Sequence, residues 1–384
     1  MDFEQTLYYW NIPGVEDKKG FLEPFFNNSK NPGFSKFFSD NPTIVWTGLD
    51  SIPLENLTDV GINFNNLDEI DFFLYEPSTY YHINKPFNCG HYHEDKWEEN
   101  TKLRSKELDS LSVFQKTFNL KINVFTADYN INKYFKEFYP NLNMSCKDVF
   151  LQQVGNKTIQ RINFPFSKKF YCNNKRFALH RALIMAHLQD KDGNFSWPYN
   201  IVDIDYTNYA WIEEDKLNLK EKFNLLKNKT FKIDNDQIFN VEHFGECGLA
   251  PNIENSHGHD IIKAYSESVI AIINETRFGQ PTGYFSEKIF YAIGMDMPFI
   301  LVAPPFTLEY LKKFGFRSFL RLWDESYDTI TNHSERMKKI MDLIDWLDSH
   351  SLEDLIQMRE NVKDIIEHNK RVLQEFRFRN LNLT

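Results

Sequence analysis

Cysteine is scarce: Cys89, Cys146, Cys172 and Cys247 are the four in 384 residues, far apart and without CxxC spacing. That excludes a disulfide framework and a cysteine-based zinc site, and it fits a reducing, cytoplasmic setting. Long apolar runs are also missing. Nothing approaches the roughly 20 residues that cross a bilayer, and the opening MDFEQTLYYWNIPG lacks a basic segment followed by an apolar one. A soluble chain without a membrane span is expected. Positive charge is not in excess either. With a formal net charge of -10, a polyanion binder would have to gather its cations locally, against the overall field. What is present is the composition of a folded protein, 42% hydrophobic and 16% aromatic. The length favours two α/β domains over one very large core.

Apolar runs place the elements. Thr43-Ile44-Val45-Trp46, Ile70 to Tyr75 and Lys121 to Thr126 read as strands, with a helix over about 103–118 between the last two. Strand, helix, strand implies a parallel sheet. A second unit opens with the strand Lys168 to Cys172, the polar turn Asn173-Asn174-Lys175-Arg176 and a helix from Phe177 to Gln189. It resumes with the strand Ser268 to Asn274, a helix from Ser286 to Gly294, the strand Pro298 to Ala303 and a helix from Thr307 that stops at Gly315. From Ser351, a capping box with Asp354 and an apolar stripe through Leu355, Val362, Ile366 and Leu373 predict one long amphipathic terminal helix. The expected layout is an N-terminal domain over 1–164, a C-terminal domain over 165–350 and the helix over 351–384. Asn-x-Ser/Thr triplets recur, but Asn274 closes a predicted buried strand where no glycan fits, so they are read as accidental.

Chemistry concentrates where the second unit's strands meet its helices. Asn274-Glu275-Thr276 ends one parallel strand, Gly283-Tyr284-Phe285-Ser286-Glu287-Lys288 opens the next helix, and Glu275 and Ser286 are counted among the donor-binding residues. Ligands in open α/β sheets bind at the carboxyl ends of strands, where helix N-termini offer N–H groups to phosphate. Glu287 has the geometry to accept two ribose hydroxyls, and Lys288 to neutralise a phosphate. The alternative is a dipole-complementing Glu287 beside a solvated Lys288, although a cation in a first helical turn is unfavourable without an anion nearby. From Arg161 through Gln189 there are six Lys or Arg residues and no Asp or Glu. Arg176 falls in the strand-to-helix turn and Arg181 early in the helix, which again fits an anion site; the alternative is an exposed basic helix.

YFSEK followed by IFYAIGMDMPFILVAPP resembles the α-1,3-fucosyltransferase pattern of an aromatic, a variable residue, Thr, Glu and Lys, a helix, and a Pro-initiated apolar strand. The wider run through TLEYLKKFGFRSF and WDESYD is similar to glycosyltransferase-like proteins of viruses and microbes, and the likeness spans about residues 165–345. It implies a GT-B architecture, two Rossmann-like domains with parallel sheets facing a cleft, and a metal-independent glycosyltransferase. The donor would be a nucleotide diphosphate sugar, a GDP-sugar such as GDP-fucose being favoured, and the acceptor a glycan or other hydroxyl. Carried over by position, Tyr284 lies against the nucleotide, Glu287 binds ribose and Lys288 binds the diphosphate or sugar. KKFYCNNKRFALHR is similar to the family segment that supplies a diphosphate-binding arginine, here Arg181. LYEP resembles the strand that ends in a catalytic Glu, which would make Glu76 the general base of an inverting transfer. Ser286 stands where the family has Thr, and the base and sugar contacts have no counterpart to map.

Competing motifs are weaker. His91, His93, Glu94 and Asp95 form a HxH cluster without further ligands. Asp203-Ile204-Asp205 has the Asp-x-Asp form of a manganese site, yet Asp190-Lys191-Asp192 and Asp234-Asn235-Asp236 repeat it, so no metal site is assigned. No cofactor beyond the donor is expected. Two other readings stay open: a glycosyltransferase acting on a hydroxymethylated base in DNA, which needs a positive groove, and a noncatalytic nucleotide- or carbohydrate-binding protein on the same fold.

Overall fold

Two parallel sheets organise the chain, one in each of two compact units. The units are Met1–His91 with Glu99–Val149 and Phe378–Thr384, and Tyr92–Glu98 with Phe150–Arg377. The computed structural model describes residues 8–9, 43–46, 65, 68–74, 106–126, 136, 138–146, 161, 163–174, 178–197, 217–231, 256–275, 277–279 and 285–376.

In the first unit, β1 (Tyr8–Tyr9), β2 (Thr43–Trp46), β3 (Glu69–Leu74), β4 (Lys121–Thr126) and β5 (Asn143–Cys146) lie in that order, every pair parallel. Helix α1 (Lys106–Phe118) links β3 to β4. It spaces Leu108, Leu111 and Phe114 three apart on one face, all buried with Ile70, Phe72, Ile122 and Val124. Phe114 meets Phe72 edge to face at 6.0 Å. Register also aligns a polar row: Asn123 donates to Glu69 at 2.6 Å, and Asn143 donates to Asn123 at 2.7 Å. These side-chain bonds tie three strands together on the same face.

The second sheet has the order β7-β6-β8-β9, again all parallel, from β6 (Lys168–Asn173), β7 (Gly193–Ser196), β8 (Ser268–Asn274) and β9 (Phe299–Val302). Helix α2 (Leu179–Leu188) carries the chain from β6 out to β7. The chain then returns through α3 (Leu219–Leu226) and α4 (Ser256–Glu267) to β8 on the other flank of β6. The direction of winding therefore reverses between β6 and β8, whereas strand order in the first sheet runs without reversal. Every residue of β8 and β9 is buried, the pattern of strands covered on both faces. Helix α5 (Glu287–Gly294) joins them and buries Ile289, Phe290, Ala292 and Ile293.

Helix α6 (Thr307–Lys313) ends at Gly315, whose φ of 94° is the left-handed conformation expected of a residue just past a helix. A 3₁₀ turn (Ser326–Thr329) and α7 (His333–Asp348) follow. The terminal stripe is helical, and Ser351 with Asp354 forms the expected capping box, but the single long helix is corrected to two, α8 (Leu352–Glu360) and α9 (Lys363–Phe376). The break has a tertiary cause. Asp296, in the turn after α5, holds both pieces: its carbonyl accepts from Arg359 at 3.0 Å and its carboxylate pairs with Lys370 at 2.7 Å. Val362 at the joint is fully buried. The apolar stripe persists across the joint, so periodicity alone does not reveal it.

Helix α6 begins at Phe306, which has φ of 67° and no side-chain cap. Asp328 supplies the cap from a distance, accepting from the backbone N–H of Leu308 at 3.0 Å and of Glu309 at 3.4 Å. Burial pushes its carboxyl up to about 6 from the usual 3.8, despite those two bonds. Between these values the native state binds more protons than the unfolded chain, so this group's stabilisation is complete below 3.8 and is lost as pH rises through 6. Partly buried His187 and buried His333, held down at about 4 and about 3 mainly by desolvation, act in the opposite sense, costing stability as pH falls below 6.5. Asp328→Asn keeps one acceptor oxygen, as the protonated carboxyl does, and removes the titration. In urea unfolding it is expected to match the parent near pH 4 and exceed it at pH 8 by on the order of 2 kcal/mol. A difference that stays constant over that range contradicts the assignment.

Candidate functional site

The reversal of winding between β6 and β8 puts the carboxyl ends of these strands where α/β sheets place ligands. Their floor is polar and buried. Asn274 donates to Asn174 at 2.9 Å, and both amides lie 3.4 Å from the Cys172 sulfur. Burial pushes that thiol up to about 12, with the Arg181 charge acting the other way.

Glu275, one residue past β8, is the junction of the site and is 1% exposed. Its backbone N–H extends the sheet by donating to Val302 at 3.0 Å. Its carbonyl accepts from His180 Nε2 at 2.9 Å and from Arg181 Nη2 at 3.1 Å, both in the first turn of α2. A carbonyl only accepts, so His180 carries its proton on Nε2. The Glu275 carboxylate accepts from the backbone N–H of Ser286 at 3.2 Å. Ser286 caps α5: its Oγ accepts from the Lys288 backbone N–H at 3.4 Å and from Lys288 Nζ at 3.2 Å. A continuous path of hydrogen bonds thus runs from Arg181 through Glu275 and Ser286 to Lys288.

Two features bear on charge. The N-cap residue of α2, Ala178, makes no side-chain cap bond, and the first turn of α2 has no acid. A helix start of that kind, carrying His180 and Arg181, favours negative charge nearby. Beyond Glu275 the chain is held by a stack. Phe278 lies 5.6 Å from the His180 ring and 4.2 Å beneath the Arg336 guanidinium. Arg336, 1% exposed, donates to the carbonyls of Phe278 at 2.6 Å and Ile330 at 2.9 Å.

Of the residues singled out by sequence, Arg181, Glu275, Ser286 and Lys288 come together here. Glu287 is the first residue of α5, and its side chain lies outside the described residues, as do Glu76, Arg176 and Tyr284. His91, His93, Glu94, Asp95, Asp203 and Asp205 lie outside them too. Among the described residues no group of three or more His, Cys, Asp or Glu is placed to hold a metal ion, and no helix is long and apolar enough to cross a membrane.

The basic stretch from Arg161 to Gln189 divides in the fold. Arg181 is 4% exposed and does not belong to a solvated basic helix. The stretch does not form one patch either. At the amino end of β6, Lys168 pairs with Asp192 at 2.8 Å and Lys169 donates to the Asp348 carbonyl at 2.6 Å. Arg161 donates to the Ser266 carbonyl at 2.6 Å. Arg181 stands at the opposite end of the strand. Sequence reasoning missed His180 and Arg336. The first was legible only as the neighbour of Arg181, and the second sits 61 positions past Glu275 on a helix with no local signal.

Neither a protein-family model nor a curated protein matches the chain. Among solved structures, it is similar to a DNA-modifying β-glucosyltransferase solved with and without uridine diphosphoglucose, at TM-score 0.37 and 9% identity over 90% of this chain and 80% of that one. A second structure, the T4 phage enzyme in complex with UDP-glucose, overlaps at TM-score 0.36 and 9% identity with the same coverage. Overlaps this low establish neither shared chemistry nor common ancestry, and the functional reading rests on the chain's own residues.

Proposed function

We propose that the chain is a glycosyltransferase of GT-B type that holds a nucleoside diphosphate sugar at the carboxyl ends of β6 and β8. The observation that carries the reading is the hydrogen-bonded path Arg181, Glu275, Ser286, Lys288, which ties the starts of α2 and α5 together at the sheet's switch point. The resemblance of YFSEK to the fucosyltransferase pattern adds the finer assignments of Tyr284 against the nucleotide, Glu287 on ribose and a GDP-sugar as donor, and the basic strand-to-helix turn read from sequence adds Arg176 near the anion. In the proposed transfer an acceptor hydroxyl on a glycan or other molecule attacks the anomeric carbon, and Glu76 takes its proton. The bond from that carbon to the phosphate oxygen breaks, and the nucleoside diphosphate leaves with the electron pair. Arg181 and Lys288 stabilise the charge that develops on it, the role a divalent cation fills elsewhere.

Two measurements test this. In calorimetric titrations with GDP and UDP in EDTA, Arg181→Lys and Lys288→Met are each expected to weaken binding by about 1.5–3 kcal/mol, the range for hydrogen bonds to charged groups, with melting temperature retained. Equal affinity in parent and variants moves the anion site elsewhere, and parent binding that appears only with added Mn²⁺ or Mg²⁺ contradicts metal independence. Glu76→Gln is expected to slow sugar transfer by about two to four orders of magnitude at unchanged donor affinity, the scale of general-base catalysis. Transfer at the parent rate removes Glu76 from the mechanism.

A further inference from the structure

We infer that Glu275 acts as the positioning residue of the donor site, holding the starts of α2 and α5 in a fixed relation rather than touching the ligand. The inference rests on the proposed donor reading for its ligand and on the observed hydrogen bonds for the clasp itself. Each backbone polar group of Glu275 is engaged within the fold: the N–H with Val302, the carbonyl with His180 and Arg181. One carboxylate oxygen is engaged with the Ser286 N–H, and the residue is 1% exposed. With so little of its surface exposed, the residue offers a ligand almost nothing to touch, and displacing these bonds would leave buried groups unsatisfied.

The two halves of the residue serve different helices. Through the carbonyl, Glu275 fixes the guanidinium of Arg181, which otherwise has several rotatable bonds and a large entropy to lose on binding an anion. Through the carboxylate, it fixes the residue before α5, and with it the Ser286 oxygen that receives both the backbone N–H and the ammonium of Lys288. Between these contacts Phe278 is held by the His180 ring and the Arg336 guanidinium. Both cations are thereby oriented before a ligand arrives, the arrangement in which a charged contact contributes most to affinity. A carboxylate is an odd choice next to a diphosphate on electrostatic grounds alone, since its own charge opposes the ligand. It is explained if the requirement is a strong acceptor for a buried N–H at a helix start.

That tension gives a test with a sign. Glu275→Gln keeps the acceptor and removes the charge, Glu275→Ala removes both, and Glu275→Asp keeps the charge but falls short of Ser286. In the ligand-free protein, backbone amide exchange at 286–288 is expected to stay near the parent rate in Gln and to quicken by roughly tenfold or more in Ala and Asp, as local opening becomes easier. In titrations with GDP and UDP, Gln is expected to bind as tightly as the parent or tighter, while Ala and Asp bind roughly tenfold more weakly. Should Ala fail to fold, the Gln and Asp pair carries the comparison. A Gln variant that loses affinity with its amides still protected means that Glu275 contacts the ligand, and the inference falls. Unchanged exchange in Asp and Ala also overturns it. If the parent itself binds neither nucleotide while the exchange contrast holds, the donor reading fails and the clasp stands, so the two claims fail separately.

Discussion

A strand with no solvent on either face leaves its end groups nowhere to go but into the protein. All seven residues of β8 are buried, and the chain leaves it still buried, through Asn274 and Glu275. Polar groups met there turn to the fold for partners, because leaving a buried amide or carboxylate unpaired costs more than a made hydrogen bond contributes. The partners are the amide of Asn174, the side chains of His180 and Arg181, and the first N–H of the α5 cap. The requirement to satisfy the end of one strand thus draws two helix starts to the same point, and the proposed anion site is a by-product of that satisfaction.

Sequence showed the strands best where apolar residues run without interruption. Thr43–Trp46, Lys121–Thr126 and Ser268–Asn274 have the bounds read from sequence, because their apolar pattern leaves one choice. The edge strands Asn143–Cys146 and Gly193–Ser196 were not read. NMSC and GNFS have no such run, and pairing on a preformed edge decides them. Helix α4 begins with Ser-His-Gly-His, which hides its start; α7 was not read either, although Met337, Ile340, Met341, Ile344 and Leu347 repeat at helical spacing behind the Asn332 cap. The break between α8 and α9 was not, since it is imposed by Asp296, distant in sequence.

The site divides along the same line. Arg181, Glu275, Ser286 and Lys288 were found because strand ends and helix starts are local features, and their chemistry is unusual for those places. Sequence assigned all four a direct part in donor binding. The bonds that Glu275 makes underlie the proposed division of labour, in which cations would face the ligand and a buried acid set their geometry. His180 and Arg336 hold that geometry through tertiary stacking on Phe278, for which no spacing rule exists. Charge read along the chain was misleading in one respect: cations of the basic stretch lie at opposite ends of β6, where Lys168 and Lys169 pair with Asp192 and Asp348 and Arg161 donates to a backbone carbonyl.

The central claim is that a diphosphate is held where β6 and β8 end, at the starts of α2 and α5. Amide and arginine side-chain NMR shifts, followed while GDP or UDP is added to the full chain, test it most directly. The account predicts the largest shifts at the amides of 286–288 and at the Arg181 Nε–H, saturating together with one affinity. Shifts confined to the amino end of β6, around Lys168, Lys169 and Asp192, or none anywhere in the second unit, would contradict it.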